Sequence, residues 1–266
     1  MTVVAFICAG LALIPLVLVL SYVLINGAAS LSPSVFVELP PPPLSKGGGF
    51  GNALLGTLIT VGIAALISIP FGVLAAIYLA EFARDTKFAD VVSFFTNVLS
   101  GVPSIVIGVF VYALVVLTTG TYSAVAGGIA LSVLMLPTIV RTATEALESV
   151  PRDYRQAAIG LGSTRFQTTA QIVLPAAIPA ILTGVMLAIA RAAGETAPVL
   201  FTALFSQFWN RTLWEPTATM SMLVYNFATV PYKNQQELAW AASPVLVFLV
   251  LITSILARWI TKRRGR

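Results

Sequence analysis

Long apolar runs separated by polar stretches organise the chain. The first run extends roughly from Val3 to Ile25. At about 1.5 Å per residue, a helix of that length crosses a bilayer core of about 30 Å. Further runs predict helices over about Asn52–Ala80, Val91–Leu117, Tyr122–Ile139, Pro175–Leu204 and Leu238–Ile260. The runs are continuous, whereas barrel strands would alternate, so six spanning helices are expected. Pro70 lies inside the second span and predicts a kink, because it removes a backbone hydrogen bond. Gly101-Val102-Pro103-Ser104 lies inside the third. Asn26 to about Gly51 reads as an aqueous connection, with Pro40–Pro43 extended and Gly47–Gly49 flexible. A short charged loop, Glu81–Asp90, follows the second span. A loop rich in Trp, Tyr and Asn, Phe205–Glu237, precedes the last. The expected division is 1–51 for the first helix and external loop, 52–262 for a five-helix transport domain and 263–266 for a basic tail.

Composition changes the class. Hydrophobic residues make up 58% and charged residues 9% of the chain, with mean hydropathy +0.95. Soluble domains carry about 25% charged residues, so the pattern is that of an integral membrane protein. The net charge of +5 is no nucleic-acid signal, because the basic residues lie between apolar runs rather than in one patch. With one cysteine and no histidine, an internal disulfide and a Cys/His metal site are excluded. Cys8 follows Ile7, which is not the small residue a lipoprotein site would want, and reads as a buried apolar side chain. Cleavage after Gly27-Ala28-Ala29 is disfavoured by an overlong apolar stretch without a positive start.

Charge placement orients the spans. One side carries Arg84, Lys87, Arg141, Arg152, Arg155, Arg165, Arg258, Lys262, Arg263, Arg264 and Arg266; the other carries Lys46, Arg211 and Lys233. Positive residues favour the cytoplasm, so both termini and the 145–175 loop are expected there. Trp209, Trp214, Tyr225, Tyr232 and Trp240 then lie outside, as an interfacial belt or a contact for a binding protein.

The polar stretch Gln156–Pro175 stands out between apolar flanks. Ser149-Val150-Pro151 starts a short helix over Arg152–Ile159, and Gly160 and Gly162 end it. Ser163 is a candidate N-cap for a second helix, Thr164–Leu174, with Pro175 turning the chain into the fifth span. Two short helices at a small-residue corner form a knob suited to a cleft on another protein. Gln156-Ala157-Ala158, Gly162 and Ile172-Val173-Leu174-Pro175 resemble the EAA motif of type I ABC importer permeases, with Gln156 where glutamate is usual. The resemblance implies an all-α integral membrane fold with six transmembrane helices. It also implies that Gln156, Ala157, Ala158, Gly162, Ile172, Leu174 and Pro175 form a coupling helix docked on a cytoplasmic ATPase. The loss of the glutamate charge leaves a polar acceptor.

Arg191 and Glu195 lie within the fifth apolar run. Arg191 is about 24 Å along a helix from Pro175, past the midplane, and Glu195 would share its face four residues on. Charges at this depth cost several kcal/mol unless paired or bathed by an aqueous cavity. Arg191 either offers its fork to an oxyanion, with Glu195 holding or gating it, or the pair only pins helices. Ala190-Arg191-Ala192-Ala193-Gly194-Glu195-Thr196-Ala197-Pro198 resembles the A-R-A-x-G-E-T-A-P segment of the phosphate-specific branch of these permeases. Gly101–Val106 and Gly48–Leu58 also resemble that branch. The resemblance implies inorganic phosphate as substrate, with Arg191, Glu195, Thr196 and Ser104 as pathway residues. A hydroxyl bond back to the helix backbone is the competing role for Thr196 and Ser104. The implied partners are a second permease subunit, an ATPase dimer and an extracytoplasmic phosphate-binding protein. No cofactor is expected on this chain, which lacks a Walker A loop; ATP and Mg would sit on the ATPase. An importer of sulfate or molybdate is disfavoured by the GETAP segment, and a stand-alone carrier or channel by the EAA loop.

Overall fold

The computed structural model describes residues 2–45 and 47–264, with side chains except at 2, 3, 5 and 256–264. Lys46, Gly265, Arg266 and the side chains of Arg258, Lys262, Arg263 and Arg264 lie outside the described residues. The described residues form helices and no strand. We label them α1 (Thr2–Ala28), α2 (Gly51–Phe82), α3 (Lys87–Gly101), α4 (Ser104–Thr119), α5 (Ala124–Glu148), α6 (Arg152–Gly160), α7 (Arg165–Gly194), α8 (Ala197–Thr202), α9 (Met220–Thr229) and α10 (Lys233–Arg264).

Five of these are long and apolar enough to cross a membrane, and the α3–α4 pair makes a sixth if counted as one span. The expected third span is therefore not one helix: α3 and α4 are bent by 103°. Val102 is held extended (φ −71°, ψ 130°), as a residue before proline prefers, and Pro103 starts the new direction. α5 is the central element, with 67% of its apolar window buried against 0% for α1. It packs on α2, α4, α7 and α8. Leu131, Met135, Ile139 and Leu147 of α5 join Val173, Ile181 and Val185 of α7 in the main core. α1 lies outside, along α10, and Cys8 is exposed rather than buried.

The helices run further than the apolar runs do. α5 starts at a true cap, Ser123 Oγ accepting from the Ala126 N–H at 3.1 Å, and continues past Ile139 to carry Arg141 inside the helix. A charge stops an apolar run but not a helix, since arginine is a good helix former. Gly48 and Gly49, expected to be flexible, are held by hydrogen bonds: the Gly48 N–H donates to Glu38 Oε2 and the Gly49 N–H to the Leu39 carbonyl. Gln235 and Asn234 of α10 donate to the Pro41 and Ser45 carbonyls. The Phe205–Glu237 stretch is not wholly a loop either. It contains α9, whose Met220, Met222, Leu223 and Phe227 are buried.

Small residues let the helices approach. A Cβ on Gly56 of α2 would run into the Ala218 carbonyl just before α9, whereas one on Gly62 meets nothing within 4 Å. Gly56→Val is expected to cost about 1–3 kcal/mol by overpacking and to lower the melting temperature of the purified protein. Gly62→Val, on the same helix, should leave it unchanged.

Candidate functional site

Two places collect the polar residues singled out by the sequence, at opposite ends of α7. At its C-terminal end, α7 stops at Gly194. Glu195 is extended (φ −73°, ψ 133°), so it does not continue the helix as its spacing from Arg191 suggested. Thr196 follows as the N-cap of α8, without a side-chain cap bond. At the break, Ser221 Oγ of α9 donates to the Glu195 carbonyl at 2.8 Å. Arg191 Nε lies 3.4 Å from Glu195 Oε1, with the two side chains 54% and 18% exposed. That contact is the one hydrogen bond of the Arg191 fork among the described residues, so its other N–H groups stay open. Ser104 is half-buried at the start of α4, and α4 packs on α8, its Gly108 lying against Pro198. Four sequence candidates thus fall at the end of α7, at the break that leads into α8, and at the start of α4, which packs on α8.

At the other end, α6 and the first turn of α7 form the expected knob. Leu161 ends α6 and Gly162 has φ +90°. The Ser163 N–H donates to the Ala158 carbonyl and the Gly162 N–H to that of Ile159. This left-handed cap needs glycine at Gly162 for its backbone, since nothing lies within 4 Å of where a Cβ would stand. The N-cap of α7 is Thr164, one residue later than expected. Thr164 Oγ1 accepts from the Gln167 N–H, and Gln167 Oε1 accepts from the Thr164 N–H. Pro175 makes no turn. A wider turn, Thr169–Val173, precedes it, with the Leu174 N–H reaching the Thr169 carbonyl, and this lets the helix run on through the proline. Gln156 and Ala157 are exposed and Ala158 is buried against the body; Ile172 and Leu174 are half-buried and Pro175 is exposed. Around them Tyr154, Ile159, Leu161 and Phe166 expose large apolar side chains, Leu161 at 89%.

One residue carries more than its sequence context disclosed. Arg155 donates through Nη2 to Glu81 Oε1 at 2.6 Å and to the Leu147 carbonyl at 2.8 Å, and through Nη1 to the Val150 carbonyl at 2.6 Å. Its Nε reaches both Glu81 oxygens. The pair is 15% and 8% exposed. Arg155 thus joins α6 to the ends of α2 and α5. Read in sequence, it is one more positive residue in a loop, and Glu81 lies 74 positions away. α9 was equally missed, although Thr219 followed by the apolar run from Met220 is a helix signal.

A family model described as "Binding-protein-dependent transport system inner membrane component" matches residues 68–266. The phosphate transport system permease protein PstA of Yersinia pestis is 41% identical over 239 residues, covering 90% of this chain and 81% of that protein. A probable ABC transporter permease protein of Bacillus subtilis, YqgI, is 35% identical, covering 95% of this chain and 91% of its own length. Among solved structures, a bacterial alginate ABC transporter in complex with an alginate-bound periplasmic protein matches at TM-score 0.69 and 17% identity. It covers 98% of this chain and 94% of the matched one. The apolar helices, their packing on α5 and these similarities agree on an all-α type I ABC importer permease, and the chain belongs to the family of binding-protein-dependent transport system inner membrane components.

Proposed function

We propose that this chain is a permease subunit of an ATP-driven inorganic phosphate importer, forming half of a translocation pathway with a PstC-like second permease. A PstB-like ATPase dimer would dock on the knob, and a PstS-like binding protein would deliver phosphate at the opposite face. The observation that carries the reading is the Arg191 fork, bonded once among the described residues and otherwise open, within a chain similar to phosphate permeases over nine-tenths of its length. Lipid around an exposed guanidinium would cost several kcal/mol, so its surroundings in the assembly are a watery path or another subunit. A phosphate stripped of water needs charge-assisted donors, and a planar fork supplies them. Glu195, held at the helix break, keeps the fork aimed. Thr196 and Ser104 are the hydroxyl candidates of the same pathway.

Arg84, Lys87, Arg152, Arg155 and Arg165 cluster at the knob end, which supports a cytoplasmic placement for it and for both termini. This favours the bacterial or archaeal plasma membrane as location. Force has a continuous route from there. α7 starts in the knob and runs without a turn to Arg191, about 40 Å away along the helix. ATP and Mg act on the ATPase, and this chain contributes motion and a path, not hydrolysis. Leu161→Glu with Phe166→Glu tests the dock. The ATPase is expected to stop co-purifying while the chain stays in the membrane at normal level; undiminished co-purification would remove the knob from the interface.

A further inference from the structure

Beside the knob, a cleft of about 300 Å³ opens between the end of α2 and the start of α7. The Arg155–Glu81 pair contributes to its wall, satisfied within the chain. Arg84, Arg165 and Asp85 line it as well, and neither Arg84 nor Arg165 has an ion-pair partner among the described residues. Three guanidinium groups thus face two carboxylates, leaving one positive charge unmatched. A second observation points the same way. Thr168 also lines the cleft, is 3% exposed, and its Oγ1 has no hydrogen-bond partner among the described residues. Its neighbour Thr169 behaves as helix threonines commonly do, donating back to the Arg165 carbonyl at 2.9 Å. The Thr168 oxygen is closed off from solvent, so it meets the cleft only after a χ1 rotation; a ligand oxygen there would reward the rotation, since a buried hydroxyl left without a partner costs free energy. Two open guanidinium forks and one idle hydroxyl suit a tetrahedral oxyanion. The cleft lies at the end of α2 and the start of α7, both long apolar helices, and basic pockets between spanning helices take anionic headgroups.

We propose that this cleft is a second anion site, which takes a phosphate group, either free phosphate or that of an anionic phospholipid. It is distinct from Arg191, which lies at the far end of α7, and goes beyond the transport reading. The test uses the full chain with the second permease and the ATPase, without the phosphate-binding protein, and carries Arg191→Ala so that the pathway fork is silent. In phosphatidylcholine nanodiscs, radiolabelled inorganic phosphate is titrated. In nanodiscs doped with phosphatidylglycerol, native mass spectrometry counts retained anionic lipid. Saturable binding is expected in at least one arm: the first identifies free phosphate as the source, the second a headgroup. Arg84→Gln with Arg165→Gln should abolish it, and Thr168→Val should weaken it at least tenfold. Thr168→Val breaks no bond within the chain, so it folds and keeps the test decisive if the double variant does not. Binding absent in both arms, or unchanged by Thr168→Val, overturns the proposal. So does loss of an accompanying subunit from the double variant without any phosphate-group binding, since an acidic side chain of that subunit then fills the cleft.

Discussion

Arg191→Ala is expected to lower phosphate uptake by roughly a hundredfold in cells that hold normal levels of the assembled transporter. The size follows from the chemistry: a hydrogen bond to a charged group contributes about 1.5–3 kcal/mol, and each 1.4 kcal/mol is about tenfold. Two such bonds from the open N–H groups would supply the whole effect. Arg191→Lys keeps the charge but not the fork, and should recover only part of the uptake. The alternative role, pinning helices, makes a different forecast. The Arg191–Glu195 contact is long, and Arg191 is half exposed, so its loss would then alter neither uptake nor melting temperature by much. Radiolabelled uptake measured beside a thermal melt of the same variants separates the two roles.

The second large effect belongs to Arg155. Its removal leaves Glu81 as a lone carboxylate at 8% exposure and takes the guanidinium donor from the Val150 and Leu147 carbonyls, of which Leu147 keeps the Val150 N–H. Breaking one side of a buried pair costs about 3–5 kcal/mol. Arg155→Ala is therefore expected to lower the melting temperature sharply and to abolish ATP-driven uptake. The double variant Glu81→Ala with Arg155→Ala removes the lone charge and should regain much of the stability. It should not regain uptake, because the knob has lost its tie to α2. A double variant that restores both would reduce the pair to a stabilising contact with no part in coupling.

The spans were legible because apolar length is a strong signal, and their number survives the structure once α3 and α4 are taken together. What the sequence hid was direction. Apolarity is continuous from Val91 to Leu117, so nothing in it marks the 103° bend, although Val102-Pro103 holds the local cause. Helix ends were hidden for a related reason. Arg141 and Pro175 look like boundaries, yet α5 and α7 pass through both, one because water tolerates a charged helix end and the other because a wide turn makes room for the ring. The knob was legible in its glycine, whose positive φ the corner requires. Its anchorage was not, because Glu81 and Arg155 meet only through tertiary packing. In the fifth span, spacing placed Arg191 and Glu195 together and Pro198 marked an interruption; the helix ends at Gly194 with Pro198 in the first turn of α8, and what stayed hidden is the Ser221 bond to the Glu195 carbonyl, from a stretch that read as loop.

The central claim is that this chain conducts phosphate only as part of an ATP-driven assembly. Its most direct test is uptake into proteoliposomes holding this chain, the sister permease and the ATPase, with the binding protein outside and ATP inside. Labelled phosphate is expected to accumulate only when ATP and the binding protein are both present, with excess unlabelled sulfate or molybdate leaving the rate unchanged. Accumulation by this chain without the ATPase, or suppression of the rate by sulfate or molybdate, would contradict it.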